Sequence, residues 1–472
     1  MDLKNLTIKK AHAHLSKGDF SVKELARAYV KNIDQKNSSI NAFLEVYDDW
    51  GNQSEKAQNL FKENKASLLT GIPLALKDSI LIKGKIASAS SKILENYRAV
   101  YDSTVVAKLK KEGTVFLGRT NMDEFAMGSS TESSAYGVTH NPIDPERVPG
   151  GSSGGSAAAV VMEGALAALG SETNGSIRQP ASLCGCVGLK PTYGRVSRHG
   201  LLAMGSSLDQ IGPLTKTVED AEIIFNSIKG EDPMDSTSLE PEEKPIPDKL
   251  IFGVPEDIIS MDGIDGEVRD NFKSSVEKLS RMGYEIKNIS LPHAGYALAA
   301  YYIIMPAEVS SNLARYDGVK YGFHKEGDNL IGDYLKTRTS GFGAEARRRI
   351  ILGTYVLSSG YYDSFYGKAN QVRSLVISDY ETVFNGPSGV GAVLTPTTPS
   401  PAFKIGEKIS DPLSMYMSDI FASPSSIAGL PGISLPSGLS KNGLPIGLQV
   451  VSPAFREDIL FKIGKDFLGE GI

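Results

Sequence analysis

Two runs of glycine and small hydroxyl residues hold the densest set of groups that could do chemistry: Val148-Pro-Gly-Gly-Ser152-Ser153-Gly-Gly-Ser156-Ala-Ala-Ala and Gly170-Ser-Glu-Thr-Asn-Gly-Ser176-Ile-Arg-Gln-Pro180. Glycine lets a chain turn tightly and leaves backbone N–H groups free to point at a ligand, and serine hydroxyls can act as nucleophiles or proton relays. A flexible linker would stay polar on both sides, whereas both runs pass directly into strand or helix patterns. A phosphate cradle is a minor reading, because neither run contains the Gly-Lys-Ser/Thr of a Walker loop or the Gly-x-Gly-x-x-Gly of a dinucleotide fold. Gly151-Ser-Ser153-Gly-Gly155 does satisfy the Gly-x-Ser-x-Gly of a nucleophile elbow, as does the frame from Gly150, but an elbow needs a strand running into its serine. The approach here is Asn141-Pro-Ile-Asp-Pro-Glu-Arg-Val-Pro149, whose three prolines argue against a central strand. The histidine of such a hydrolase would have to be His199, His293 or His324, none in an obvious motif, so a Ser-His-Asp enzyme is disfavoured.

A serine nucleophile served by another base remains, and the candidate base is Lys77 in Gly71-Ile-Pro-Leu-Ala-Leu-Lys77-Asp78. Lys77 ends an apolar, strand-like run, and burial there would lower its pKa toward neutrality and free the amine to accept a proton. Alone, a lysine at a strand end reads as an exposed charge; its weight comes from the serine runs downstream.

Gly150-Gly-Ser152-Ser153-Gly-Gly-Ser156, Ser171 to Gln179 and Lys77 together resemble the amidase signature family, whose members use a Ser-cisSer-Lys triad. The resemblance implies Ser176 as acyl-forming nucleophile, Ser152 as the relay hydroxyl, Lys77 as the ultimate base, and Thr173, Asn174 and Gly175 as the oxyanion-binding turn. It also implies an α/β fold: a large mixed central sheet covered by helices on both faces, with a helical cap insertion. Asn121-Met-Asp-Glu-Phe-Ala-Met-Gly-Ser-Ser130, Lys190 to Ser197, Ser206 to Pro213 and Ser310 to Gly318 are similar to one branch of that family, the glutaminase subunits of tRNA-dependent amidotransferases. This similarity runs over nearly the whole chain.

The similarity implies hydrolysis of glutamine to glutamate and ammonia, the ammonia then converting Glu-tRNA(Gln) to Gln-tRNA(Gln). It also implies a heterotrimer with B and C subunits, tRNA held mainly by the B subunit, no cofactor in this chain, and ATP and Mg on the partner. By the same resemblance Arg349 meets the substrate α-carboxylate and Asp419 its α-ammonium, with Tyr301, Tyr302, Met127, Gly128 and Ser129 lining the pocket. The alternatives are a free-standing amidase for small or fatty amides and an impaired assembly protein. Two departures bear on the last: the family commonly reads Gly-Ser-Asp-Thr-Gly-Gly-Ser, and here Glu172 replaces Asp and Asn174 the first paired glycine. The turn survives if position 174 is merely left-handed, which Asn tolerates, and is misshapen if only glycine fits.

The elements that must position these residues follow from periodicity. Residues 1–65 read as a helical prefix, with helices near Ile8 to Leu15 and from a capping box at Ser21-Val22-Lys23-Glu24 to about Ile33. Residues 66–230 alternate short apolar runs (Pro73 to Leu76, Thr114 to Leu117, Ala165 to Leu169) with helical patterns (Thr104 to Lys111, Gly154 to Glu163), the mark of an α/β core. Residues 231–250 are rich in Pro, Asp, Glu and Ser and read as an exposed linker. Residues 251–385 read as a mainly helical cap, with Gly266 to Met282 and Ala344 to Val376 as long helical patterns. Residues 386–472 bring strands back at Val390 to Thr395, Gly432 to Pro436 and Ile446 to Val451 to complete the core.

Composition sets the outer bounds. With 472 residues, 41% of them apolar and 22% charged, the chain reads as a globular protein with a sizeable core. A net charge of −5 lacks the excess of basic residues that nucleic-acid phosphates require, so any tRNA contact belongs mainly to a partner. Two cysteines, Cys184 and Cys186, are too close in sequence to staple a fold and fit a reducing compartment, the cytoplasm or an organelle matrix. No targeting segment, membrane span or metal-ligand spacing is expected.

Overall fold

The computed structural model describes residues 1–242, 244–386 and 389–470. Glu243 of the expected linker and Pro387, Ser388, Gly471 and Ile472 of the expected C-terminal segment lie outside the described residues. Eleven strands form one mixed sheet: β1 (Phe43–Val46), β2 (Pro73–Lys77), β3 (Val115–Thr120), β4 (Ala167–Glu172), β5 (Val187–Lys190), β6 (Gln210–Thr215), β7 (Ile251–Pro255), β8 (Glu285–Ile289), β9 (Ala392–Pro396), β10 (Gly432–Leu439) and β11 (Pro445–Val451). Their order across the sheet is β1-β3-β2-β4-β6-β5-β10-β11-β9-β7-β8. The triplets β3-β2-β4 and β9-β7-β8 are parallel, and antiparallel pairings join them through the middle.

Local chemistry explains the elements that carry the site. β2, β3 and β4 are buried along their whole lengths, which is why they read as continuous apolar runs rather than alternating ones. The helix Thr104–Lys111 begins at Ser103, whose hydroxyl accepts from the Val106 N–H. The helix Val22–Ile40 starts at the full capping box of Ser21 and Glu24 and runs on past Ile33. The Gly154–Val161 helix is buried throughout except at Val161, and its small residues let it pack closely beneath the strands. Adding a Cβ at Gly155 would bring it 2.3 Å from the Asn121 carbonyl, so the glycine there is required by close approach.

Several expectations are corrected. The 1–65 segment is not only helical, since it supplies β1 at the sheet edge, antiparallel to β3. The 251–385 segment contributes β7 and β8 to the sheet besides its helices. The helical pattern from Ala344 to Val376 divides into Ala344–Val356 and Lys368–Asn385, with a single π turn at Asp363–Gly367 between them. The first part of the expected linker is docked rather than exposed: Asp232 accepts from Ser197 and Thr104 hydroxyls, each at 2.5 Å, and Asp235 pairs with Arg198 at 3.0 Å. Cys184 and Cys186 are both buried and free. Among the described residues no helix is long and apolar enough to cross a membrane.

Candidate active site

Because β2 and β4 lie side by side and parallel, Lys77 and the Ser171-Glu172 pair leave the sheet at the same edge. The crevice beyond the carboxyl ends of parallel strands is where such sheets place ligands. Lys77 is completely buried, and its Nζ lies 2.7 Å from Ser152 Oγ and 2.9 Å from the Ser171 carbonyl. Desolvation dominates its titration and pushes the amine down to about 7, against the opposing pull of Asp123, Asp209 and Glu172. A neutral amine next to a hydroxyl is a competent proton acceptor near neutral pH.

Ser152 is set by its neighbours on both sides. The Gly151–Ser152 peptide bond is cis. The Gly151 N–H donates to Gln179 Oε1 at 2.8 Å, while the Ser152 carbonyl accepts from the Asp123 N–H at 3.2 Å. A Cβ at Gly151 would meet Asp123 Oδ2 at 2.0 Å, so no other residue fits this approach. The Ser153 N–H donates to the Ser176 carbonyl at 3.0 Å and ties the two glycine-rich segments together. The Ser152 and Ser176 hydroxyls themselves share no hydrogen bond among the described residues, so only the lysine half of the expected chain is closed.

The turn before Ser176 is organised by Glu172. Its carboxylate accepts from the N–H groups of Gly175 (2.9 Å), Ile177 (3.0 Å) and Arg178 (3.1 Å), from Arg178 Nε (2.8 Å) and from Arg178 Nη2. Burial works against the charged form, but the Arg178 guanidinium, the Lys190 charge and the backbone hydrogen bonds together hold the carboxyl below its usual range. Gly175 N–H, expected from the sequence among the oxyanion donors, is therefore already engaged. The N–H groups in this turn with no acceptor among the described residues are those of Thr173, Asn174 and Ser176. Free N–H groups in the turn that carries Ser176 are the kind of donor an acyl-transfer oxyanion needs.

The Asn174 departure is resolved by the backbone. Asn174 does not take positive φ; Gly175 does, at 80°, and a Cβ there would also sit 2.7 Å from Asp419 Oδ1. Asn174 is held by its Nδ2, which donates to Ser423 Oγ at 2.9 Å. Asn174→Gly should therefore change turnover by less than about fivefold, the factor carried by the ~1 kcal/mol of one neutral hydrogen bond. Amide hydrolysis rates of the two proteins check this, and a gain of tenfold or more in the variant would mean the native turn is misshapen.

Around the turn lie the residues expected to hold a substrate. Asp419 is buried; its Oδ2 accepts from Ser129 Oγ at 2.5 Å, while its Oδ1 is buried with no partner among the described residues. Burial pushes its carboxyl up to about 8, despite the Ser129 hydrogen bond and the Arg349 charge. Arg349 is buried rather than on a solvated helix face: Nε donates to Glu345 Oε1 at 2.7 Å and the guanidinium stands over the rings of Tyr302 (5.4 Å) and Tyr416 (5.6 Å). Tyr301 OH lies 3.3 Å from Thr173 Oγ1, which ties the tyrosine to the turn.

A cavity of about 230 Å³ opens beside this group, lined among others by Met127, Gly128, Ser129, Glu345, Arg349 and Tyr416. Lys77, Ser152 and Ser176 do not line it; it meets the serine turn through Ser129 and Asp419. Three contributors escaped the sequence reading. Glu345 could have been found, being one helical turn before Arg349; Gln179 closes the Ser171 to Gln179 run but was given no role there, and Tyr416 gave no local signal. Among the described residues no group of three or more His, Cys, Asp or Glu is placed to hold a metal ion.

Known proteins resemble this chain over most of its length. The A subunit of the glutamyl-tRNA(Gln) amidotransferase of Thermodesulfovibrio yellowstonii is 50% identical over 469 residues, covering 97% of this chain and 95% of that protein. Its counterpart from Halothermothrix orenii is 51% identical over 465 residues, with coverages of 97% and 95%. The crystal structure of the A subunit of glutamyl-tRNA(Gln) amidotransferase from Thermotoga maritima superposes with a TM-score of 0.81 at 43% identity, covering 98% of this chain and 94% of that one. The family model described as Amidase matches residues 24–461, a span that takes in Lys77, both glycine-rich segments, the cap and the returning strands. With that match over most of the chain and those identities, this chain belongs to the amidase family.

Proposed function

We propose that the protein is the glutaminase subunit of a tRNA-dependent amidotransferase, hydrolysing glutamine through a Ser176 acyl-enzyme and passing ammonia to a partner that amidates Glu-tRNA(Gln). The relatives named above support the assignment, and one observation of the site favours an amino acid over a simple amide. Asp419 Oδ1 is a buried acceptor without a donor among the described residues. A buried acceptor left unpaired is costly, so the site is built to receive N–H donors from outside the chain. Arg349, its Nε already fixed by Glu345, supplies the opposite charge. A ligand that brings both a carboxylate and an ammonium satisfies both.

In this reading substrate closes the Ser152–Ser176 contact, Ser176 passes its proton to Ser152 as Ser152 passes its own to Lys77, and Ser176 Oγ attacks the carboxamide carbon. The N–H groups of Thr173, Asn174 and Ser176 hold the oxyanion. The proton returns through Ser152 to the departing nitrogen, ammonia leaves, and water, deprotonated through the same relay, releases glutamate. ATP and Mg act on the B subunit, which also holds most of the tRNA; the C subunit completes the assembly.

The test is glutamine hydrolysis by the chain alone and with its B and C partners, together with mass spectrometry after treatment with a glutamine-like electrophile. We expect one adduct, on Ser176, none in Ser176→Ala, and hydrolysis stimulated by the partners. Robust hydrolysis of short amides with glutamine ignored would instead assign a free-standing amidase, and complex formation without any adduct would assign an assembly protein.

A further inference from the structure

The Asn121 to Ser130 segment contains an acidic residue that the proposed chemistry does not use. Glu124 is buried, and its Oε1 accepts from Ser91 Oγ at 2.5 Å. Both of its oxygens accept from the Gly343 N–H, at 3.1 and 2.9 Å. Gly343 immediately precedes the helix Ala344–Val356, which carries Glu345 and Arg349. The first N–H groups of a helix lack intrahelical acceptors, and a carboxylate there also meets the positive end of the helix dipole.

The approach is close. A Cβ on Gly343 would lie 2.4 Å from Glu124 Oε2, although the backbone there (φ −69°, ψ 173°) is open to any residue. Ser91 strengthens the same joint, since its hydroxyl also lies 3.2 Å from the Gly341 carbonyl. The Glu345–Arg349 pair, by contrast, lies within one helix and moves with it. It fixes the direction of the guanidinium but not the distance of the helix from Ser176.

We propose that Glu124 is a positioning residue: its carboxylate sets the helix Ala344–Val356 against the serine-bearing core and so fixes where Arg349 meets the substrate carboxylate. This rests on the glutamine reading above.

The test is steady-state kinetics of the full chain in complex with its partners, using glutamine and a short primary amide that lacks the α-carboxylate. Glu124→Ala should raise the glutamine KM about tenfold or more, with kcat falling less than about threefold. It should lower kcat/KM for glutamine at least about fivefold more than for the short amide. Glu124→Gln, which keeps an oxygen for Gly343, should recover most of the loss. Gly343→Ala should raise KM in the native background and add little in Glu124→Ala, where the clash is gone.

Equal losses on both substrates, or additive effects of Glu124→Ala and Gly343→Ala, would overturn the proposal. If neither variant moves KM while Arg349→Ala does, Glu124 plays no positioning part and the glutamine reading stands. If Arg349→Ala also leaves KM unchanged, both fall.

Discussion

Replacing Lys77 by methionine should lower glutamine hydrolysis by about three orders of magnitude while leaving the protein folded, because it removes the base of the proposed relay and keeps the buried volume. The side chain is completely buried and its amine is pushed down to about 7, so the native enzyme holds it mostly neutral above that pH and mostly protonated below. A protonated Lys77 cannot take the Ser152 proton, so kcat/KM of the native protein should fall as pH drops below about 7. In the proposed reading Asp419 acts in the same direction: its carboxyl, pushed up to about 8, must ionise to hold the substrate's ammonium group. The acid side of the profile should therefore be steeper than one ionisation gives, and in Lys77→Met the residual activity should show only the shallower Asp419 limb. Rates measured from pH 6 to 9 decide the matter. A methionine variant within about tenfold of the native rate would mean that another group is the base.

That prediction draws on a part of the site that local sequence could show. An apolar run closed by a lysine is buried along β2, and the runs around Ser152 and Ser176 become turns at the ends of the Gly154–Val161 helix and of β4. What local sequence could not show was set at long range. Gly212 and Pro213 interrupt any strand pattern in β6, yet it is buried between β4 and β5. β1 has four residues and a register shift between Phe43 and Glu45, too short and irregular for period-2 alternation to be seen. Glu124 and Gly343 are 219 positions apart, and no spacing rule connects them. Arg349 stands in the run Arg347-Arg348-Arg349, and nothing in that run singles out the one that is buried against the rings of Tyr302 and Tyr416. In the serine turn, composition gave two candidates for positive φ, Asn174 and Gly175, and the fold chose the glycine.

The choice at that turn is enforced by Glu172, and its replacement should have the largest effect on stability. The pair it forms with Arg178 is fully buried on both sides. Arg178 directs Nη1 to Ser425 Oγ (2.7 Å) and Gln449 Oε1 (2.6 Å), and Nη2 to Ser426 Oγ (2.8 Å), all neutral acceptors. Glu172→Gln therefore leaves a buried guanidinium without its carboxylate partner, a loss of about 3–5 kcal/mol, and Glu172→Ala also strips the acceptors from the Gly175, Ile177 and Arg178 N–H groups. Freed of that anchor, the turn no longer fixes the Thr173, Asn174 and Ser176 donors, so acylation of Ser176 should fall along with the unfolding midpoint. Because the carboxyl is held below its usual range, its contribution is complete above that range and is lost only as pH falls through the lowered value. Glu172→Asp keeps the charge opposite Arg178 with a shorter reach and should retain both folding and labelling, with a smaller loss of each. Thermal unfolding and Ser176 labelling of the three variants test the ordering Asp, then Gln, then Ala. A glutamine variant as stable as the native protein would show that Arg178 is satisfied by its neutral acceptors, and that the carboxylate serves the turn alone.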